Sequence, residues 1–340
     1  MAASGYADLL DALAEEAAAA GPGGGEWSAL LAASEAIQRE RTEIWANLTF
    51  PFGSEMPWDS TGQEEVFTFS ARYGDGAAAN KTLVAVKAYT SDVPHWGYAG
   101  SARRYFDFLV YGAPRQNSGD TEREFHHYGS GLNSVVLLRA YRTFPNDTLA
   151  LRAGFAASLG AFAAVDVESG APSMAFHADP ARLEWDDYSG DHGQNVFGAL
   201  RESGCFIDNM TEPGELVGFG CDVTSGAGAS QFLVTPTDAT RRLIYFGPLG
   251  ASVSLRGSGS IASAAVDFSA RTITLAAAAP RGDCGADAPP ALLRVALAIE
   301  AHPDWARATS LAVTDPPGAP LVRGAFEFPW QAAVTVSWQA

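Results

Sequence analysis

Basic residues are scarce in this chain: 22 Lys and Arg stand against 39 Asp and Glu in 340 residues, a net charge of −17. So acidic a surface repels phosphate backbones and anionic bilayers, which argues against nucleic acid and membranes as partners. It weighs against acidic polysaccharides too, and leaves neutral glycans. Cysteine is thin as well, with only Cys205, Cys221 and Cys284. An odd number cannot all pair, and no C-x-x-C spacing offers thiolates to a metal. Cys205 and Cys221 either bridge or stay as thiols in a packed interior. No run of about 18 apolar residues occurs, so no segment has the make-up of a bilayer-crossing helix. The start, Met1 to Asp8, has neither a basic n-region nor an apolar h-region.

What is present suits a globular protein. At 340 residues the chain can bury roughly three quarters of its unfolded surface, enough for one or two cores. A hydrophobic share of 47% with 18% charged residues is ordinary for such a protein. Four N-x-S/T sequons, at Asn47, Asn80, Asn146 and Asn209, lean toward secretion. With no leader at the start, that predicts a truncated chain from the secretory pathway or the extracellular space.

The texture changes near residue 212. Before it, helical segments alternate with loops rich in glycine and aromatics: Tyr6 to Ala20, Glu26 to Leu48, Gln63 to Tyr73, Asn80 to Tyr89, Ser101 to Tyr111, Leu132 to Phe144, Thr148 to Val165 and Gln194 to Ile207. Beyond it, short alternating segments with turn signals between them read as an antiparallel β-sandwich. They are Glu215 to Val223, Ser230 to Pro236, Arg241 to Phe246, Ala251 to Arg256, Ala264 to Phe268, Thr272 to Ala276, Leu292 to Ile299 and Ala332 to Trp338. The expected fold is α+β multidomain: a helical domain over 1–212 and a sandwich over 213–340.

The loops hold the chemistry. In Phe50-Pro51-Phe52-Gly53-Ser54-Glu55-Met56-Pro57-Trp58-Asp59-Ser60-Thr61-Gly62-Gln63-Glu64-Glu65, acids crowd aromatics where a helix begins. A sugar-cleaving pocket needs an aromatic face for the apolar side of a pyranose and acids to move protons at the glycosidic oxygen. Asp59 and Ser60 also suit a helix cap, and Glu65 reads as a solvated acid on the same helix. Capping does not account for Glu55, Trp58 and Gln63 gathered beside it.

A second loop runs Glu124-Phe125-His126-His127-Tyr128-Gly129-Ser130-Gly131-Leu132-Asn133. Its glycines permit a tight turn into the next helix, whose free N–H groups suit a hydroxyl or carboxylate. One of the adjacent histidines offers an acid/base group near neutral pH, or a strut beneath the loop. Neighbouring histidines point apart, so a metal site is not expected. A third loop, Glu184-Trp185-Asp186-Asp187-Tyr188-Ser189-Gly190-Asp191-His192, packs like charges whose repulsion raises a carboxyl pKa, as a general acid requires. Helix capping and a calcium loop compete with that reading, though the order of an EF-hand is lacking. His95 and Trp96, in Thr90 to Tyr98, look like a subsite wall, and His177 like a strut after a small hairpin.

Together, W-D-S-T-G-Q-E-E, H-Y-G-S-G-L-N and W-D-D-Y-S-G-D-H-G resemble an uncharacterised domain-of-unknown-function family related to the six-hairpin (α/α)6 glycosidases, over roughly residues 45 to 280. The resemblance implies a six-hairpin toroid with a glycosidase-like cleft. Eight helical segments against the about twelve of a full toroid predict an incomplete one, with an upstream part missing. The expected activity is glycoside hydrolysis of a neutral glycan, with no cofactor. One of Asp59 or Glu64 faces one of Asp187 or Asp191, while Glu55, Trp58, Gln63, His95, Trp96, His127, Tyr128, Asn133, Trp185, Tyr188 and His192 bind the sugar. A polysaccharide lyase built on His127, Tyr128 and Asn133, or a non-catalytic carbohydrate-binding domain, are the alternatives.

Overall fold

The computed structural model describes residues 2–21, 24–47, 60–89, 124–160, 168, 175–177, 202–209, 215–256, 259–278, 292–322, 325–329 and 333–340. Among them the fold is α+β, with six α-helices and fifteen strands. The chain divides into two compact units, 1–141 with 149–202 and 142–148 with 203–340.

The first unit holds α1 (Ala2–Ala19), α2 (Gly25–Asn47), α3 (Ser60–Arg72), α4 (Gly76–Tyr89) and most of α5 (His127–Thr143) and α6 (Thr148–Gly160), with a ribbon of β1 (Glu124–His126) and β2 (Ala175–His177). The expected helix over Ser101 to Tyr111 lies outside the described residues. Boundaries follow local chemistry. Gly74 takes φ 77 just past α3, where the left-handed conformation closes the last turn. The Asp75 carboxylate then accepts from the Ala78 N–H at 3.0 Å and caps α4, which therefore starts four residues before the expected Asn80.

Packing grades the helices. Leu10 of α1 meets Phe69 of α3, with Leu31 of α2 and Tyr73 against them. Arg72 binds Asp11 at 2.7 Å and Glu35 at 3.6 Å, and Arg39 lies 4.1 Å over the Tyr73 ring. While α2 keeps exposed residues along its length, α3 buries six in a row, Glu65 to Ser70. Likewise α5 buries Ser134 to Leu138 with Ala140 and Tyr141. A helix covered on all sides is an interior helix. Gly154 of α6 brings that helix close to α5, since a Cβ there would stand 2.9 Å from Leu137 Cβ.

The second unit carries two sheets. One has six strands in the order β12 (Ser310–Asp315), β15 (Val334–Gln339), β10 (Thr272–Ala278), β9 (Ser260–Asp267), β6 (Gln231–Pro236), β5 (Cys221–Ser225). The other has seven, in the order β13 (Leu321–Val322), β14 (Ala325–Pro329), β11 (Leu292–Ile299), β8 (Ala251–Arg256), β7 (Leu243–Phe246), β3 (Cys205–Asp208), β4 (Val217–Phe219). Pairing is antiparallel except between β3 and β7. Alternate residues of both sheets enter one buried cluster, including Val234, Val266, Ile273, Leu275, Val334 and Val336 from the first and Ile207, Ile244, Phe246, Val253, Val295 and Phe328 from the second. Full burial of each such apolar side chain stabilises by about 1.5–3 kcal/mol, so this cluster decides the register.

One expectation fails here. The helix drawn from Gln194 to Ile207 cannot reach its end, because Cys205 to Asp208 is a strand. All four of its residues are buried, and a short apolar run closed on both faces carries no period that separates strand from helix. Strands β12 and β14 were not anticipated either. Cys205 and Cys221 are free, buried thiols. The Cys205 thiol is pushed far up by its hydrogen bond with Cys221 and by burial, so it stays protonated.

Two outcomes check this unit. Gly220 has φ 75, and a Cβ there would sit 2.6 Å from the Gly204 carbonyl oxygen and 2.5 Å from Arg241 Nη1. Gly220→Ala is expected to destabilise by more than about 1 kcal/mol, read as a lowered denaturant midpoint. A thiol-alkylating reagent should leave Cys205 and Cys221 unmodified in the folded chain and label both after denaturation without reductant. Blocked thiols in the denatured, unreduced chain would mean that a bridge joins them.

Candidate functional site

Two loop motifs run into α3 and α5, the two described helices that have a stretch buried on every side. The Phe50 to Glu65 stretch leads into α3, so Gln63 and Glu64 fall within its first turns. The Glu124 to Asn133 stretch forms β1 and the start of α5, placing His127 as the first helical residue, with Tyr128 and Asn133 after it. Helix N-termini present unsatisfied N–H groups and the positive end of the macrodipole, which favour hydroxyls and anions. Helix α5 starts five residues ahead of the expected Leu132 and runs through Gly129 and Gly131, so tertiary context overrides their poor propensity.

The ribbon adds a pairing that spacing alone did not bring out. Strands β1 and β2 are antiparallel with Glu124 opposite His177, Phe125 opposite Phe176 and His126 opposite Ala175. Residues 51 positions apart thereby share one short ribbon at the mouth of α5. The small hairpin expected before His177 falls on residues that lie outside the described ones, while Ala175–His177 itself pairs with a partner much earlier in the chain.

Below the first turns of α3 stands a carboxylate that sequence reading placed in solvent. Glu65 is buried, its side chain only 6% exposed, and its Oε1 lies 2.8 Å from Arg41 Nε. Arg41 Nη2 also donates to Oε2 at 3.1 Å, so the guanidinium engages both oxygens. Glu65 is therefore a fixed internal charge, not a solvated acid. The signal was available: α3 reads apolar at Val66, Phe67 and Phe69, and an acid adjoining such a run needs a cation. A second internal pair joins Arg139 of α5 to the buried Glu202, 3.4 Å apart. Gln38, Thr42, Thr68, Ser70, Thr82 and Ser134 are buried polar residues of the same unit.

Glu55, Trp58, Asp59, His95, Trp96, Trp185, Asp187, Tyr188, Asp191 and His192 lie outside the described residues. In the second unit, a hollow of 240 Å³ is lined by Leu216, Phe232, Pro248 and Phe268 with Asn209 and Ser230, and no carboxylate among the described residues lines it. No group of three His, Cys, Asp or Glu among the described residues is arranged to hold a metal ion. No helix among them is long and apolar enough to cross a membrane.

Residues 22–302 match a family of unknown function, DUF5695. The chain belongs to this family. Its match takes in both the helical elements and much of the β-rich unit, from α2 through β11. Neither the curated proteins nor the solved structures contain a match to it.

The Arg41–Glu65 pair separates a structural acid from its neighbour. Arg41→Met takes the guanidinium away from a buried carboxylate and is expected to cost about 1–3 kcal/mol, measured by thermal or denaturant unfolding. Substitution of Glu64 at the adjacent position should leave that stability nearly unchanged.

Proposed function

We propose that this DUF5695 protein is a glycoside hydrolase acting on a neutral glycan, with a six-hairpin (α/α) toroid as its first unit and a β-sandwich as its second. One observation carries the reading: among the described helices, the two with a stretch buried on all sides, α3 and α5, are the two that begin at the acidic and aromatic motifs. Inner helices of a toroid are covered all round by their neighbours, and their ends open on the central hollow. Motifs at those ends border such a hollow. A shared core fed by both sheets is what a sandwich requires.

In this reading Asp59 or Glu64, at the head of α3, works with Asp187 or Asp191. One protonates the glycosidic oxygen as the bond to the anomeric carbon breaks. The other either attacks that carbon or deprotonates the water that does. A separation of about 5–5.5 Å goes with retention and about 6.5–9.5 Å with inversion. Trp58, Trp96, Trp185 and Tyr188 stack on sugar faces, and Glu55, Gln63, His95, His127, Tyr128, Asn133 and His192 hold hydroxyls. Glu124 and His177, paired on the ribbon, orient the entry to α5. The net charge of −17 favours an uncharged substrate.

Glu64→Gln and Asp187→Asn are expected to lower kcat by at least about a hundredfold on a hydrolysable neutral oligosaccharide, the scale of general acid–base catalysis. Their melting temperatures should stay within a degree or two of the parent's, about what exposed substitutions produce. Full activity in either variant removes that residue from the scheme. An unsaturated product absorbing in the ultraviolet would replace hydrolysis by a lyase reaction, and binding without turnover would leave a carbohydrate-binding domain.

A further inference from the structure

Four of the seven asparagines in the chain stand in N-x-T triplets, and all four side chains are exposed. Asn47 and Asn80 lie in helices α2 and α4, and the residues that follow Asn209 are not described. At Asn146 the whole acceptor segment is described, and it is built differently from the rest. In Phe144-Pro145-Asn146-Asp147-Thr148, exposure alternates: Phe144, Asn146 and Thr148 face solvent, Pro145 is buried and Asp147 half-buried. A turn sets this alternation, with the Asp147 N–H donating to the Phe144 carbonyl at 2.9 Å and the Thr148 N–H to that of Asn146 at 3.0 Å. Pro145 occupies the position that its fixed φ favours in such a turn.

The turn is held rigidly within its unit. The His302 N–H donates to the Thr143 carbonyl at 2.8 Å, and the Tyr245 hydroxyl donates to that of Arg142 at 2.8 Å. The Arg142 guanidinium pairs with Glu300, which accepts from the Ser252 hydroxyl at 2.5 Å. Phe144 stacks on His302 with ring centres 6.1 Å apart and still keeps 37% of its surface exposed. An aromatic two positions before the acceptor and a threonine two after it thus flank Asn146 on one outward side.

We propose that Asn146 carries an N-linked glycan whose first sugar packs on Phe144 and Thr148. The amide nitrogen of Asn146 attacks the anomeric carbon of a lipid pyrophosphate-linked oligosaccharide. A C–N bond forms and the C–O bond to the pyrophosphate breaks; the lipid pyrophosphate leaves with the electron pair, and a base of the transferase takes the amide proton. The exposed Thr148 hydroxyl is the group that such a transferase reads. Once attached, the sugar sets its apolar C–H face on the Phe144 ring, covering an aromatic surface that otherwise meets water. The chain therefore passes through a compartment that holds the transferase. This goes beyond the hydrolase reading and stands or falls separately from it.

Trypsin releases residues 143–152 as one peptide with a single acceptor. In protein from its own source, treatment with an N-glycan amidase in 18O water should return this peptide with labelled Asp at 146. The same peptide recovered with intact Asn146 overturns the proposal. In chain secreted from a eukaryotic host, Asn146→Gln and Thr148→Ala should each remove one glycan's worth of mass, and an unchanged mass overturns it equally. For the packing, the amidase should lower the melting temperature of the parent and not that of Phe144→Ala. An equal drop in both refutes the contact with Phe144.

Discussion

Six consecutive buried side chains on α3, Glu65 to Ser70, set the constraint from which the helical unit follows. A helix with no solvent face must meet neighbours on every side and must pair whatever charge it brings inside. Here α1, α2 and α4 supply the neighbours. The charge of Glu65 meets Arg41, which reaches in from α2 with its side chain still half exposed. Such a helix cannot rotate or slide without breaking that pair and exposing Phe67 or Phe69. Its first turns are therefore held in place, which is what any residue needs if it is to present a proton donor to a substrate.

The β-rich unit obeys a different rule. Each strand commits every second side chain to a core common to both sheets, so a slip of one residue would send Ile273 and Leu275 into solvent. Where β3 and β7 lie side by side, Phe206 and Tyr245 are buried on the opposite face as well. That second face explains the Tyr245 phenol, which burial and the Glu300 carboxylate hold well above the usual range although Arg142 works against them.

Periodicity made much of this legible. The helices over α1 and α2 and strands such as β8 and β11 follow patterns of 3.6 and 2 that the sequence displays openly. Elements escaped where pattern was missing. The four residues of β3 are buried on both faces and alternate with nothing, whereas β12 lies at a sheet edge with most of its residues exposed. The pairing of Glu124 with His177 depends on a partner 53 positions away, and no local rule reports such a contact. In the candidate site, residue chemistry singled out two loops that run into α3 and α5 but misjudged Glu65. An acid on a helix is a surface residue by default, and only the arrival of Arg41 from another helix makes it internal.

The strand order of the six-stranded sheet has a consequence for biosynthesis. Strand β15 lies between β10 and β12, although both precede it in the chain. Until Val334 to Gln339 have left the ribosome, those two strands lack their shared neighbour, and each keeps an open ladder of N–H and C=O groups. Nascent chains of this protein thus carry two sticky margins until β15 is made, and a chaperone or quick translation through Val334 to Gln339 would limit their misassembly.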